Sequence, residues 1–188
     1  MMKTRHILSV LVENHAGVLN RVVSLLRRRS FNIESITVGH SEQPGISRMT
    51  IVVNAEEDEV EQAGKQLYKL MEVLKVTDVT NLNSVAHELA LIKVAAKSQT
   101  RAEILQIAQI YDARVVDASP STLLLEASGP EDRIDGLLNM LKAFGIRELV
   151  RTGPVAMQRG SASVGIKEMT RPEREMAVAG NGTGPHVN

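Results

Sequence analysis

Apolar and polar positions along the 188-residue chain change period repeatedly, and the changes come in the same order twice. Arg5 to Val12 (RHILSVLV) is apolar on both faces apart from Ser9, the pattern of a central strand. Glu13-Asn14-His15-Ala16-Gly17 interrupts it. Val18, Leu19, Val22, Val23, Leu25 and Leu26 then recur at helical spacing, and Arg27, Arg28 and Arg29 end that helix where cations suit the negative end of its dipole. Phe31 to Gly39 predicts a second strand. Its apolar positions switch parity between Ile33 and Ile36, which calls for a bulge near Glu34-Ser35 and favours a sheet edge. A turn at Pro44-Gly45 leads into Ile46 to Asn54, with Met49, Ile51 and Val53 on one face. Acidic residues 56–61 open a second helix whose stripe runs Val60, Ala63, Leu67, Leu70, Met71, Leu74, and Val76 to Leu82 closes a fourth strand.

The series then recurs. Glu88 to Ala95 reads as a strand, and Thr100-Arg101-Ala102-Glu103 as a capping box ahead of Ile104, Ile107, Ala108 and Tyr111 on one helical stripe. Ala113 to Ala118 and Thr122 to Ala127 flank the turn Ser119-Pro120-Ser121. Pro130 suits a helix's first position, and Ile134, Leu137, Leu138, Leu141 and Phe144 follow it to Gly145. Ile146 to Val150 is a last strand, continued loosely to Ala156. Each half is therefore β-α-β-β-α-β, an α+β arrangement: two tandem ferredoxin-like βαββαβ units with antiparallel sheets and helices on one face. The units span 4–82 and 83–158, with a boundary near 83–87. Residues 159–188 hold Gly, Pro and scattered charge without periodicity, which predicts a disordered tail with at most a brief helix over 172–179.

Composition narrows the function. There is no Cys, so disulfides, thiolate chemistry and Cys-based zinc sites are excluded together. Two Phe, two Tyr and no Trp leave the core to aliphatic residues. The RNA-recognition motif shares the βαββαβ order but stacks bases on aromatic residues of its first and third strands. Those strands here carry Ile7-Leu8-Ser9-Val10-Leu11 and Met49-Thr50-Ile51-Val52-Val53, so no nucleic-acid partner is expected. A formal net charge of +0 gives no bulk attraction to nucleic acid or acidic lipid. No apolar run approaches the roughly 20 residues of a membrane span, and the first residues lack a secretory pattern. The expectation is a soluble, cytoplasmic protein without membrane association. His6, His15, His40, His87 and His186 are isolated in sequence and read as surface or loop residues; no metal site follows from them. Glu56 to Glu61 read as a solvated helix start. No nucleophile–base set assembles, so no catalytic residue is expected.

One loop stands apart. Glu13-Asn14-His15-Ala16-Gly17-Val18-Leu19 joins a central strand to a helix start, where free backbone amides and the positive dipole end suit a carboxylate. Gly17 leaves room for close approach, and Asn14 offers both a donor and an acceptor. The alternative is an ordinary turn with Asn14 as helix cap and Gly17 easing the chain's path. The second repeat has Lys97-Ser98-Gln99-Thr100 at the equivalent place, without a glycine.

These residues resemble a known family. The ENHAGVL loop, FNIESI (31–36) and SRMTIVV (47–53) are similar to the ACT domain of the acetolactate (acetohydroxyacid) synthase small subunit, and ELALIKV (88–94), FGIRE (144–148) and RTGPVAMQRG (151–160) to its C-terminal domain. The resemblance covers about residues 3–160. It implies a non-catalytic regulatory subunit, not itself an enzyme, that stimulates a large catalytic subunit using thiamine diphosphate, Mg and FAD. It also implies feedback inhibition by valine or another branched-chain amino acid, and a homodimer through the ACT domains. By resemblance the effector site comprises Asn14, Gly17, Val18 and Leu19 of one copy, with backbone of His15 and Ala16, and Asn32 and Ile33 of the other. No cofactor is implied on this chain. Leu26 stands where the family often has Phe, and Ser30 where Gly is frequent. A stand-alone ACT-domain sensor of some other enzyme or regulator is the alternative.

Overall fold

Both alternations of period fold as the pattern predicts. The computed structural model describes residues 3–161, which divide into two units, 3–84 together with 158–161 and Val85–Met157. The tail beyond residue 161 and its brief helix lie outside the described residues. The first unit runs β1 (Thr4–Glu13), α1 (Val18–Arg28), β2 (Asn32–His40), β3 (Ile46–Ala55), α2 (Glu57–Leu67) and β4 (Val73–Asp78). Its antiparallel sheet has the order β2-β3-β1-β4, so β1 is internal and β2 an edge. The register shifts between Ile33 and Ser35, which face Val53 and Val52 in turn. That one extra residue returns Ile33 and Ile36 to the same side, both packed on the core. Leu8, Val10 and Val12 of β1, Met49, Ile51 and Val53 of β3, Val22 and Leu26 of α1, and Val60, Ala63 and Leu67 of α2 form that core. A buried Leu, Ile or Val contributes about 1.5–3 kcal/mol, so aliphatic packing alone suffices.

Two features of this unit depart from the sequence reading. The second helix stops at Leu67; Met71 is 81% exposed, and Leu74 belongs to β4, which starts earlier than Val76 and ends before Leu82. Amides of Lys69 and Leu70 reach back only three residues, to Gln66 and Leu67, tightening the turn. The Tyr68 hydroxyl then accepts from the Val76 amide at 3.0 Å and donates to its carbonyl at 3.2 Å. Those contacts satisfy backbone groups of an edge strand, and a continued helix could not make them. His6 is the second departure. It is buried, not on the surface, with Nδ1 3.0 Å from Asp78 Oδ2 and Nε2 2.9 Å from Thr4 Oγ1.

The second unit runs β5 (Ser84–Ala95), α3 (Arg101–Ile110), β6 (Arg114–Ala118), β7 (Thr122–Gly129), α4 (Glu131–Leu141), a 3-10 turn Lys142–Phe144, β8 (Ile146–Arg151) and β9 (Val155–Gln158). The sheet order is β6-β7-β5-β8, and β9 also pairs with β5. The final stretch is therefore two strands rather than one loose continuation, broken at Thr152-Gly153-Pro154. The capping box at Thr100 is absent: its backbone is already helical (φ −102, ψ −9), and its hydroxyl donates to Lys97 O at 3.3 Å. A cap needs extended backbone to aim its oxygen at the helix amides. Pro130 precedes the helix as its N-cap residue.

Both units close their first helix alike. The Phe31 amide reaches Leu26 O at 3.1 Å and the Ser30 amide reaches Arg27 O at 2.9 Å; Ala113 and Asp112 repeat this with Ala108 and Gln109. Ser30 and Asp112 sit at φ 61 and 52, the left-handed position usually given to glycine. Left-handed backbone costs a non-glycine residue about 1–2 kcal/mol, part of which glycine's greater freedom in the unfolded chain offsets. Ser30→Gly should therefore stabilise the first unit by roughly 0.5–1 kcal/mol, read as a higher urea midpoint. An unchanged or lower midpoint would show that Ser30 carries no strain.

Candidate functional site

The loop from Asn14 to Gly17 is held by other elements on three sides. At its start, the Glu13 amide donates to Glu72 O at 2.9 Å, and the Asn14 amide to Gly45 O of the β2–β3 hairpin at 2.8 Å. At its end, Arg21 of α1 forms an ion pair with Glu72, which is 8% exposed. Glu72 thus fastens both flanks of the loop through different atoms. On the third side, Asn14 Nδ2 lies 3.3 Å from His40 Nδ1, at the end of β2. His15 Nε2 sits 3.4 Å from Glu13 Oε2.

Gly17, not Asn14, is the residue that begins the helix. It has φ 88 and ψ −12, a left-handed geometry that favours glycine, and a Cβ built there meets nothing within 4 Å. Its carbonyl accepts the first helical bond, from Arg21 at 3.0 Å. The Val18 amide makes only a 3.5 Å contact with His15 O, and those of Leu19 and Asn20 have no partner among the described residues. The other three helices carry acidic residues in their first turn; α1 has none. The positive end of α1 is therefore exposed and not neutralised by the chain itself. A carboxylate placed at Gly17 would meet free amides.

The candidate residues divide into two groups. Asn14, His15, Ala16, Gly17 and Leu19 cluster on the exposed loop and helix start. Val18 belongs there by backbone only, since its side chain is buried in the core. Asn32 and Ile33 lie at the opposite end of the sheet. Ile46 of β3 faces Glu13, whereas Asn54 of β3 faces Asn32. Eight residue steps along a strand separate these ends by on the order of 27 Å. One copy of the chain does not bring the groups together. Near the second group, Ser35 Oγ and Asn54 Oδ1 are buried without a hydrogen-bond partner among the described residues.

His40, Gly45, Glu72 and Arg21 were not legible as parts of the site. His40 is 26 positions from Asn14, and Glu72 is 51 from Arg21, so no local window holds both partners. A second polar cluster lies in the other unit. Arg151, the first residue of RTGPVAMQRG, pairs with buried Glu88 of β5 and with Asp135 of α4 at 2.7 Å. It is a structural junction between sheet edge and helix.

Tandem βαββαβ units, an edge strand at β2 and an open helix start after β1 define a two-domain protein of the ACT-like class. Comparison with known proteins makes the placement specific. Residues 8–75 match the family described as AHAS small subunit-like ACT domain, and residues 87–160 the family described as small subunit of acetolactate synthase. A probable acetolactate synthase small subunit of Methanothermobacter thermautotrophicus is 50% identical over 85% of this chain and 95% of its own length. The acetolactate synthase small subunit of Bacillus subtilis is 48% identical over 84% of this chain and 92% of its own. The crystal structure of the Thermotoga maritima acetolactate synthase small subunit superposes with a TM-score of 0.79 at 41% identity, covering 85% of this chain and 99% of that one. The chain belongs to the acetolactate synthase small-subunit family.

Proposed function

We propose that this chain is the non-catalytic regulatory subunit of a cytoplasmic acetolactate synthase. It stimulates a separate large subunit that carries thiamine diphosphate, Mg and FAD, and it confers feedback inhibition by a branched-chain amino acid, valine first. The effector site is Asn14, Gly17, Val18 and Leu19 with the backbone of His15 and Ala16 on one copy, completed by Asn32 and Ile33 of a second.

The observation that carries this reading is the division of those residues between opposite ends of one sheet, joined by an exposed edge strand. β2 offers unpaired backbone groups along its outer side, and pairing with its twin would cover them. Antiparallel pairing of two β2 strands sets the start of one beside the end of the other. The end is His40, which touches Asn14. Asn32 and Ile33 of a second copy would thus arrive at the loop of the first. An amino acid fits the chemistry: its carboxylate meets the α1 amides, its ammonium meets Asn14 Oδ1, and its side chain lies against Leu19 and Ile33. Ligand and dimer stabilise each other, so a difference in affinity between dimer states transmits the signal.

The test is acetolactate formation by the catalytic subunit with and without this chain, titrated with valine. Higher activity on addition, suppressed by valine, is expected. No stimulation, or stimulation with no response to valine, leucine or isoleucine, would overturn the reading. Recovery of some other enzyme in place of the large subunit on co-purification would favour a stand-alone sensor.

A further inference from the structure

We infer that His40 is a positioning residue for the effector loop: by accepting a hydrogen bond from Asn14 Nδ2, it fixes which end of the Asn14 amide faces the ligand. The inference rests on the effector site proposed above and assigns that site a residue outside the set drawn from the loop and the start of β2.

An asparagine amide presents a donor at one end and an acceptor at the other, and a half-turn exchanges them. Only the acceptor end can receive an ammonium group. Asn14 Nδ2 is 3.3 Å from His40 Nδ1, so the donor end is engaged by the imidazole and Oδ1 is left for the ligand. His40 is itself fixed in place. It is the last residue of β2 and pairs with Ser47 of β3, while the Asn14 backbone is tied to Gly45 of the same hairpin. The contact also selects the neutral imidazole tautomer that carries its proton on Nε2.

Calorimetry of the full chain at one fixed pH, with valine, leucine and isoleucine as probes, measures the effect. His40→Leu should bind about tenfold more weakly than the parent, the scale of one hydrogen bond. His40→Asn, whose Oδ1 replaces Nδ1 as acceptor, should restore the affinity. Parent-like binding by His40→Leu, or binding by His40→Asn no tighter than by His40→Leu, would overturn the assignment. Absence of binding by the unmutated chain to all three probes would instead overturn the effector site itself.

Discussion

Gly17→Asp is expected to abolish the proposed response to valine, by at least about a hundredfold in apparent affinity, and to leave the proposed stimulation of the catalytic subunit in place. A side chain at φ 88 carries left-handed strain of about 1–2 kcal/mol, but its Cβ points into open space and displaces nothing. A carboxylate beside the start of α1 also suits the positive end of the helix, where no acidic residue otherwise lies. The fold therefore tolerates the change. The proposed ligand would not be tolerated: the new side chain places a like charge beside the amides where the ligand's own carboxylate is proposed to sit. Gly17→Ala shares the backbone strain without the charge, so it should weaken the response only several-fold. Acetolactate assays of the reconstituted complex distinguish the two, and full valine inhibition in the Asp variant would remove Gly17 from the site.

The same loop shows where sequence reasoning succeeds and where it stops. Its location between a central strand and a helix follows from the switch between period two and period 3.6, which is a local signal. The bulge in β2 was equally legible, because one residue out of step is the only way to keep Ile33 and Ile36 on the core. The end of α2 was not. Leu67, Leu70, Met71 and Leu74 continue the helical spacing, yet Tyr68 reaches across to Val76 and the chain turns early. Periodicity describes which residues can share a face, whereas the hydroxyl-to-strand contact is tertiary. The loop's supports are of the same kind. Glu72 carries no signal in the apolar pattern, and only the fold shows it buried between Glu13 and Arg21.

Arg151→Met destabilises the second unit by about 3–5 kcal/mol at neutral pH, the cost typical of stranding a buried charge. Glu88 has only 3% of its side chain exposed, and its carboxylate is held by the Arg151 guanidinium. The same contact, first among several, raises the Arg151 pKa above its ordinary value; the hydrogen bond to Asp135 adds to it. Removing the cation leaves buried Glu88 charged and without that partner, whereas Asp135, half exposed, returns to water at little cost. The loss is a large part of the 5–15 kcal/mol that typically holds a domain together. Urea denaturation followed by circular dichroism at neutral pH measures the loss. Glu88→Leu combined with Arg151→Met should recover most of the stability, because an apolar replacement of both partners leaves no charge to strand. If the double variant were no more stable than the single one, the loss would belong to the missing Arg151 side chain itself and not to an uncompensated Glu88.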